Sequence, residues 1–192
     1  YKELLSFCTV DLSAFYFDIR KDTLYCDPKN SKKRKSTLLV LNIILNSLLK
    51  WFAPILSFTT EEIYQLVSKN NKSIHLEKFL NFPKEFENNQ LNEKWSELSK
   101  IRDICNISIE EKRANKEIGS SLEADIEIKL NSKLIELTKN TDFAELCITS
   151  KSSIKENIKD EIIVETKKAK GNKCPICWKI TADACERPQC PS

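Results

Sequence analysis

The sequence predicts an α+β protein that is mainly α, with a helical bundle followed by a small α/β module and a short cysteine-rich tail. Apolar residues recur at helical spacing through most of the first 116 residues and then alternate with charged residues over 124–130. Four of the eight cysteines fall near the end of the 192-residue chain. Only two glycines are present, which disfavours glycine-rich phosphate loops and β-rich folds with many tight turns.

The helical bundle is predicted to occupy residues 1–90. Pro54 is expected to end or kink one helix, because proline lacks a backbone N–H and clashes with the preceding turn. The next helix is expected to begin with a capping box of Thr59 and Glu62, with Thr60 as an alternative cap. Helical spacing of the apolar residues predicts three helices, over residues 1–22, 32–52 and 57–69.

Residues 91–166 are predicted to form a long helix and the small α/β module. The long helix is expected over 91–116, where apolar residues form one stripe. Strict alternation of apolar and charged residues over 124–130 predicts a half-buried strand. Residues 167–192 then provide a basic linker and the cysteine-rich tail. The other predicted elements of the module are a short helix over 132–139 and strands over 146–149 and 162–165.

Charge and hydropathy limit the classes of partner. The formal net charge is only +3, so binding of nucleic acid would depend on local basic patches. Within the longest apolar run, Asn42, Asn46 and Lys50 recur at i, i+4 and i+8 and form one polar stripe on a helix. A bilayer span needs about 20 nearly uninterrupted apolar residues. We therefore predict a buried helix with one wet edge, and no membrane association.

The usage of methionine and cysteine indicates the context of the chain. It contains no methionine and begins inside an apolar-periodic segment, which predicts that it is part of a longer protein. No signal or transit segment is visible. Isolated thiols with one terminal cluster fit a cytoplasmic protein better than a secreted disulfide scaffold. We expect the isolated cysteines to be plain buried thiols, at Cys8, Cys26, Cys105 and Cys147.

The terminal cysteine cluster predicts a structural zinc site. Cys174-x-x-Cys177 places two thiolates on one tight turn, and Cys185 and Cys190 can supply the other two ligands of a tetrahedral Zn²⁺. A segment this short cannot bury a core, so metal binding would supply its folding energy. The alternatives are a redox dithiol at Cys174 and Cys177, incidental cysteines, or an iron–sulfur cluster. The first of these lacks its usual βαβ context, and the last lacks the usual spacing.

Four stretches carry a resemblance to a known family. The stretches are FCTVDLSAFYFDIRKDTLY at 7–25, WFAPILSFTTEEIY at 51–64, RANKEIGSSLEADIEI at 113–128 and CPICW at 174–178. Together they resemble the C-terminal region of the bacterial isoleucyl-tRNA synthetases, which are class I aminoacyl-tRNA synthetases. The second stretch alone would fit the valine, leucine or isoleucine type, and the third and fourth favour isoleucine.

The resemblance implies a non-catalytic module for recognition of the anticodon stem-loop of tRNA(Ile). It implies a monomer, with residues 1–90 as the anticodon-binding bundle and 91–166 as a junction module. The HIGH-type and KMSKS-type catalytic motifs are absent from this sequence, so ATP and Mg²⁺ would belong to a catalytic core elsewhere in the full enzyme. One departure concerns the second cysteine pair, which is Cys185-x4-Cys190 where the family usually has a close Cys-x-x-Cys.

Candidate tRNA-binding residues lie in three places. Lysine and arginine neutralise backbone phosphates, although a basic run at a helix start can also be only a solvated surface. The junction residues can bind tRNA or form ordinary helix-surface ion pairs. The aromatic ring beside the metal site can stack on an anticodon base or shield the metal. The candidates are Lys32, Lys33, Arg34 and Lys35 in the basic run, Arg113, Lys116 and Ser120 at the junction, and Lys173, Trp178 and Lys179 around the metal site.

Two rival interpretations stay open from the sequence. One is a zinc-stabilised protein-interaction module without nucleic-acid binding, which the low net charge favours. The other is the equivalent region of a valyl- or leucyl-tRNA synthetase, against which the terminal zinc element counts. We also expect Trp51 and Trp95 to lie in the core, because both fall on apolar stripes.

Overall fold

The computed structural model describes residues 1–68, 72–183, 185 and 187. It divides into two compact units, which are treated separately below. The larger unit combines Tyr1–Pro28 with Asn88–Ser192, and the smaller unit is Lys29–Glu87. Helices predominate and a small mixed sheet accompanies them, which confirms the predicted fold class. The predicted division of the chain at residues 90 and 166 stays a prediction.

The larger unit begins with consecutive helical segments. These are α1 (Lys2–Ser6), a π-helical stretch (Phe7–Phe17) and α2 (Asp18–Cys26). Helical structure thus continues four residues beyond the predicted end at 22. It stops where Asp27 turns into an extended conformation directly before Pro28, a residue that disfavours helix at the position preceding it.

The smaller unit contains α3 (Lys32–Phe52), α4 (Ser57–Val67) and two 3₁₀ turns, Ile74–Leu76 and Lys84–Phe86. Helix α3 has the predicted bounds and is capped by Ser31. No helix among the residues described is long and apolar enough to cross a bilayer. The buried side chains of this unit gather where α3, α4 and the first 3₁₀ turn meet, and they include Leu49, Ala53, Tyr64 and Ile74.

The cap predicted for α4 is wrong. Leu56 occupies the N-cap position and has no side-chain cap hydrogen bond. Thr60 is already inside the helix, where its hydroxyl donates to the carbonyl of Leu56 at 2.9 Å. Because the chain turns directly after Pro54, with the Leu56 N–H bonded to the carbonyl of Phe52, the helix begins earlier than the polar residues suggested.

The rest of the larger unit is a long helix and a three-stranded sheet. Helix α5 (Asn89–Ala114) is followed by a 3₁₀ turn, Ser121–Glu123, and strand β1 (Ala124–Leu130). The sheet order is β2-β1-β3, with β1 parallel to β2 and antiparallel to β3. The remaining elements are α6 (Ser132–Thr138), α7 (Phe143–Leu146), β2 (Lys151–Glu156), β3 (Ile163–Lys168), β4 (Asn172–Lys173) and β5 (Ile180–Thr181).

The strand predicted over 146–149 is wrong, whereas the one predicted over 162–165 corresponds to β3. Asp142 starts helix α7 instead, because its carboxylate accepts from the backbone N–H groups of Ala144 and Glu145. Ile148 then takes a positive φ of 55°, which ends the helical turn. The parallel partner of β1 begins only at Lys151.

The core of the larger unit lies between α5 and the sheet. One face of β1 is fully buried, with Ile126 and Ile128 at its centre, and α5 contributes Leu98, Ile101 and Ile109. The N-terminal helical segments also pack against this core. The ring of Phe15 lies edge-on to Trp95 and beneath the guanidinium of Arg102. Arg20 forms an ion pair with Glu145 at 2.9 Å. Trp95 thus packs against this core as expected, whereas Trp51 in the smaller unit is 39% exposed.

Two of the isolated cysteines form a contact inside this core. Cys105 on α5 and Cys147 after α7 are both buried. The hydrogen bond to Cys147, together with burial, raises the pKa of Cys105 far above its ordinary range. The Cys105 thiol is therefore protonated, as expected for a plain core cysteine.

Candidate metal centre and nucleic-acid interface

The first cysteine pair lies on a tight turn between β4 and β5. The N–H of Cys174 donates to the carbonyl of Lys179 at 2.9 Å, and the N–H of Trp178 donates to the carbonyl of Cys174 at 3.0 Å. Trp178 has a positive φ of 63°, so the chain reverses directly after Cys177. Both cysteines of this turn are buried.

Three tail thiols come together as the sequence predicted. The sulfur atoms of Cys174, Cys177 and Cys185 all lie within 4.8 Å of one another, and those of Cys177 and Cys185 are 3.8 Å apart. Sulfur atoms bound to one tetrahedral zinc at about 2.3 Å are separated by about 3.8 Å. The three residues therefore fit a soft metal ion. Cys190, the fourth predicted ligand, lies outside the described residues.

A fourth cysteine packs beside these three, although its sulfur atom does not belong to the group that lies within 4.8 Å, and the sequence did not predict it there. Cys26, the last residue of α2, is only 4% exposed and packs with Cys174 and Cys177. Its isolated position in the sequence indicated only a plain buried thiol. No local pattern could have placed it here, because its contact with the tail is made by the fold alone.

Ion pairs and hydrogen bonds hold the tail in place within the larger unit. Asp22 on α2 lies 3.1 Å from Arg187 and 3.9 Å from Lys179. On the other side, the N–H of Ile180 donates to the hydroxyl of Ser150 at 2.6 Å. The tail is therefore attached both to α2 and to the module that carries the sheet.

Glu123 is the second acidic contact of the tail. Its carboxylate accepts from the backbone N–H of Gly119 at 2.9 Å and lies 3.4 Å from Nζ of Lys173. The hydrogen bond from Gly119, followed by the one from Lys173, lowers the pKa of Glu123 below its ordinary value. Glu123 is thus charged at neutral pH and links the end of the junction to β4.

The predicted tRNA-binding residues around the cysteines differ in their exposure and in their ion-pair partners. Trp178 is 59% exposed, so most of its ring is open to a stacking partner. Lys173 and Lys179 each have a carboxylate neighbour, Glu123 and Asp22 respectively. Lys179 is also half-buried, whereas Lys173 is exposed. Of the three, Trp178 presents the clearest surface for a base.

The junction residues lie at the end of α5. Arg113 forms the helix-surface ion pair that was one of its two predicted roles, with Glu110 at 2.6 Å. Lys116 follows the helix with a positive φ of 59° and is exposed. Together with Lys168 at the end of β3 these residues line a shallow pocket. Lys168 is a cation of this surface that the sequence did not single out, and Ser120 is half-buried at the adjoining 3₁₀ turn.

The basic run lies in the smaller unit, over the first turn of α3. Lys32, Lys33 and Lys35 are exposed, and Arg34 is half-buried. The first turn of α3 contains no acidic residue, and the hydroxyl of Ser31 accepts from the N–H of Arg34 at 3.0 Å. The capping serine allows the helix to begin among four cations despite the unfavourable helix dipole.

Two comparisons with known proteins return matches that cover most of the chain. The family model of the anticodon-binding domain of tRNA ligases matches residues 1–128. The chain is 66% identical over 187 residues to an isoleucine–tRNA ligase of Pelagibacter ubique, and 41% and 42% identical to those of Agrobacterium fabrum and Bartonella henselae. These matches cover 97–99% of the chain. The chain spans about a fifth of the length of these relatives, in their C-terminal part.

Proposed function

Because the chain belongs to the family of anticodon-binding domains of tRNA ligases, we propose that it is the tRNA-binding C-terminal region of an isoleucine–tRNA ligase. The partner is the anticodon stem-loop of tRNA(Ile). Binding at this region positions the tRNA for a catalytic core elsewhere in the full enzyme. That core uses ATP and Mg²⁺ to activate isoleucine and charge the tRNA. The full enzyme works as a cytoplasmic monomer.

The observation that carries the proposal is that the family match agrees with similarity to isoleucine–tRNA ligases over nearly the whole of this chain. The surface chemistry supports it. Exposed cations lie at the start of α3 and at the end of α5, where they can neutralise phosphates. Trp178 offers an aromatic face of the kind on which unstacked loop bases are bound.

The same proposal assigns a structural Zn²⁺ to the tail. Cys174, Cys177 and Cys185 supply three thiolates at distances that suit one tetrahedral ion. The ion fixes the turn that carries Trp178, and so sets the position of the aromatic ring. With Cys190 as the predicted fourth ligand, the site is closed, so it contributes to folding and leaves no open coordination position for catalysis.

Binding to tRNA tests the proposal directly. The chain is titrated with tRNA(Ile) and with the same tRNA carrying a swapped anticodon, each at two salt concentrations. We expect tighter binding to the tRNA with the native anticodon. Both tRNAs should bind more weakly at the higher salt concentration, because the release of counterions from the phosphates then contributes less free energy. A tRNA(Ile) with an altered acceptor stem is the control, and its affinity should be unchanged.

The other outcomes are equally decisive. Equal affinity for both anticodons would replace anticodon recognition with a general RNA surface. If the chain is folded and binds neither tRNA, the proposal fails and the protein-interaction module becomes the better account. Metal analysis of the purified chain tests the zinc assignment separately, since a folded chain that binds no zinc would overturn that part alone.

A further inference from the structure

Two exposed lysines line the pocket at the end of α5. Lys116 directly follows the helix, and Lys168 is the last residue of β3. Within the part of the chain that the structure describes, the ammonium group of neither lysine takes part in an ion pair or a hydrogen bond. Two uncompensated cations at one concave surface create a local positive potential that attracts an anion.

The carboxylates around this pocket already have partners. Glu110 pairs with Arg113 at 2.6 Å, and Glu117 pairs with Lys112 at 2.9 Å. Glu123, the next carboxylate along the chain, is bound by the two donors described above. The charge of the two lysines is therefore not neutralised by the carboxylates beside them.

Lys116 occupies a backbone position that favours glycine. Its φ of 59° lies in the left-handed region, directly after Asn115, the C-cap residue of α5. The N–H groups of Lys116 and Glu117 donate to the carbonyls of Arg113 and Lys112, and helices that end in this way usually have glycine or asparagine at this position. A β-carbon is strained there, so lysine destabilises the turn relative to glycine or asparagine. Such a strained position points to a role for the ammonium group.

Packing of α5 on β3 brings the two lysines together. The hydroxyls of Ser108 on α5 and Thr166 on β3 are 2.7 Å apart. From this contact the strand runs on to Lys168, and the helix runs on to its end at Lys116. Because both lysines extend from elements that already pack on each other, the pocket is preformed, and a ligand need not order the backbone on binding.

We propose that Lys116 and Lys168 together bind one backbone phosphate of tRNA. The inference rests on the proposed function and deepens it, because it defines one phosphate contact and adds a lysine of the sheet to the RNA-binding surface. A phosphodiester is singly charged, and each ammonium group can donate a charge-assisted hydrogen bond to its oxygens. A contact of this kind positions the nucleic acid and does not read its sequence.

Removal of either charge tests the contact. Lys116→Asn places a neutral residue that tolerates the left-handed conformation, so stability in urea should stay equal or rise while tRNA affinity falls. At about 0.1 M salt, loss of one phosphate contact should lower the affinity for tRNA(Ile) roughly five- to eightfold. Lys168→Gln should lower it by a similar factor. Lys133→Gln is the matched control, because Lys133 is an exposed lysine of α6 outside this pocket.

The double variant shows whether the two lysines share a phosphate. With Lys116→Asn and Lys168→Gln combined, the slope of the logarithm of the binding constant against the logarithm of the salt concentration should become shallower by about 0.7–0.9 in total. Two separate phosphates would give about twice that change. The affinity of the double variant should therefore lie close to that of either single variant.

Phosphate-ethylation interference on tRNA(Ile) locates the contact on the RNA. Ethylation neutralises one phosphate at a time, and at the contacted position it should weaken binding of the unsubstituted chain. That position should lose its effect with Lys116→Asn and with Lys168→Gln, and it should be the same phosphate for both variants. Interference elsewhere on the tRNA should persist.

The inference is overturned if both single variants bind tRNA like the Lys133→Gln control, if their effects add as for two phosphates, or if they affect different phosphates. Each of these results would leave anticodon recognition by the chain in place. Failure of the folded, unsubstituted chain to bind tRNA(Ile) would instead overturn the proposed function together with this contact.

Discussion

The carboxylate of Asp22 accepts a hydrogen bond from Nη1 of Arg187 at 3.1 Å, although the two residues are 165 positions apart in the chain. The same carboxylate oxygen lies 3.9 Å from Nζ of Lys179. One acidic side chain on α2 thus holds two cations of the cysteine-rich tail. This contact attaches the cysteine cluster of the tail to the rest of the larger unit.

We expect Asp22→Asn to weaken zinc binding. The ion pairs of Asp22 are partly buried, so their loss should cost about 1 kcal/mol, which corresponds to about a fivefold lower zinc affinity. Competition with a chromophoric chelator measures the affinity. Asp18→Asn is the matched control, because Asp18 lies on the same helix and pairs only with Lys21 among the ion pairs described. Equal affinities for both variants would contradict the anchoring role.

Gly171→Ala should disrupt the turn that carries the first cysteine pair. Gly171 has a φ of +137°, and a Cβ atom there would lie 2.2 Å from the backbone oxygen of Thr181. Strain of this kind costs about 2 kcal/mol or more. We therefore expect a clear loss of zinc affinity, measured by the same competition assay. Gly119→Ala is the control, since its Cβ would meet the Glu123 carboxylate only at 3.5 Å.

Trp178→Ala tests the aromatic surface beside the cysteine cluster. If the ring stacks on an anticodon base, its removal should weaken binding of tRNA(Ile) by roughly 1–3 kcal/mol. Zinc affinity should stay unchanged, because the exposed ring is not needed to hold the thiols. Ile176 on the same turn is 52% exposed and provides the control Ile176→Ala. A Trp178 variant that loses zinc and keeps tRNA affinity would show that the ring shields the metal.

Replacing the basic run should separate a binding role from a merely solvated surface. With Lys32, Lys33 and Lys35 changed to Gln, stability should stay equal or rise by a few tenths of a kcal/mol per residue, because cations oppose the dipole at the start of α3. Affinity for tRNA should fall. The slope of the logarithm of the binding constant against the logarithm of the salt concentration should become shallower by about 0.7–0.9 for each lost phosphate contact. Binding curves at several salt concentrations and urea unfolding give the two quantities.

The control for this change is Lys→Gln at Lys100 and Lys139, which are exposed and paired with Glu97 and Glu136. These substitutions remove two positive charges without touching the start of α3. If they reduce tRNA affinity as much as the triple substitution does, the effect reflects overall charge and the basic run is only a solvated surface.

Glu127 on strand β1 should make the stability of the folded state depend on pH. A hydrogen bond from Lys155, with the charges of Lys155 and Lys129, lowers the pKa of Glu127 below its ordinary value of 4.5. The folded state therefore binds fewer protons than the unfolded state. The resulting stability is present above about pH 4.5 and is lost as the pH falls through the lower folded pKa. We expect Glu127→Gln to flatten this acid-side decline.

Urea unfolding from about pH 7 to about pH 3 measures this effect. Glu97→Gln serves as a control for the loss of one negative charge elsewhere on the larger unit. If Glu127→Gln and the unsubstituted chain lose stability in parallel across the acid range, Glu127 does not supply the pH dependence.

The sequence by itself determined the elements whose signals are local. Helical apolar spacing predicted α3 at its observed bounds and α5 to within two residues, and strict alternation predicted β1. The Cys-x-x-Cys spacing likewise predicted the paired thiols of Cys174 and Cys177. Each of these features depends on residues a few positions apart, so a short stretch of sequence contains the whole cause.

Only the tertiary structure decided the rest of the site. Asp142 began a helix where apolar residues suggested a strand, and β2 formed later because its pairing with β1 is made across the sheet. Cys26 and Asp22 came to the tail through the packing of α2, and Glu123 and Ser150 met it from the other side. Contacts between residues this far apart depend on which surfaces the whole fold buries together, and no local pattern of residues encodes that choice.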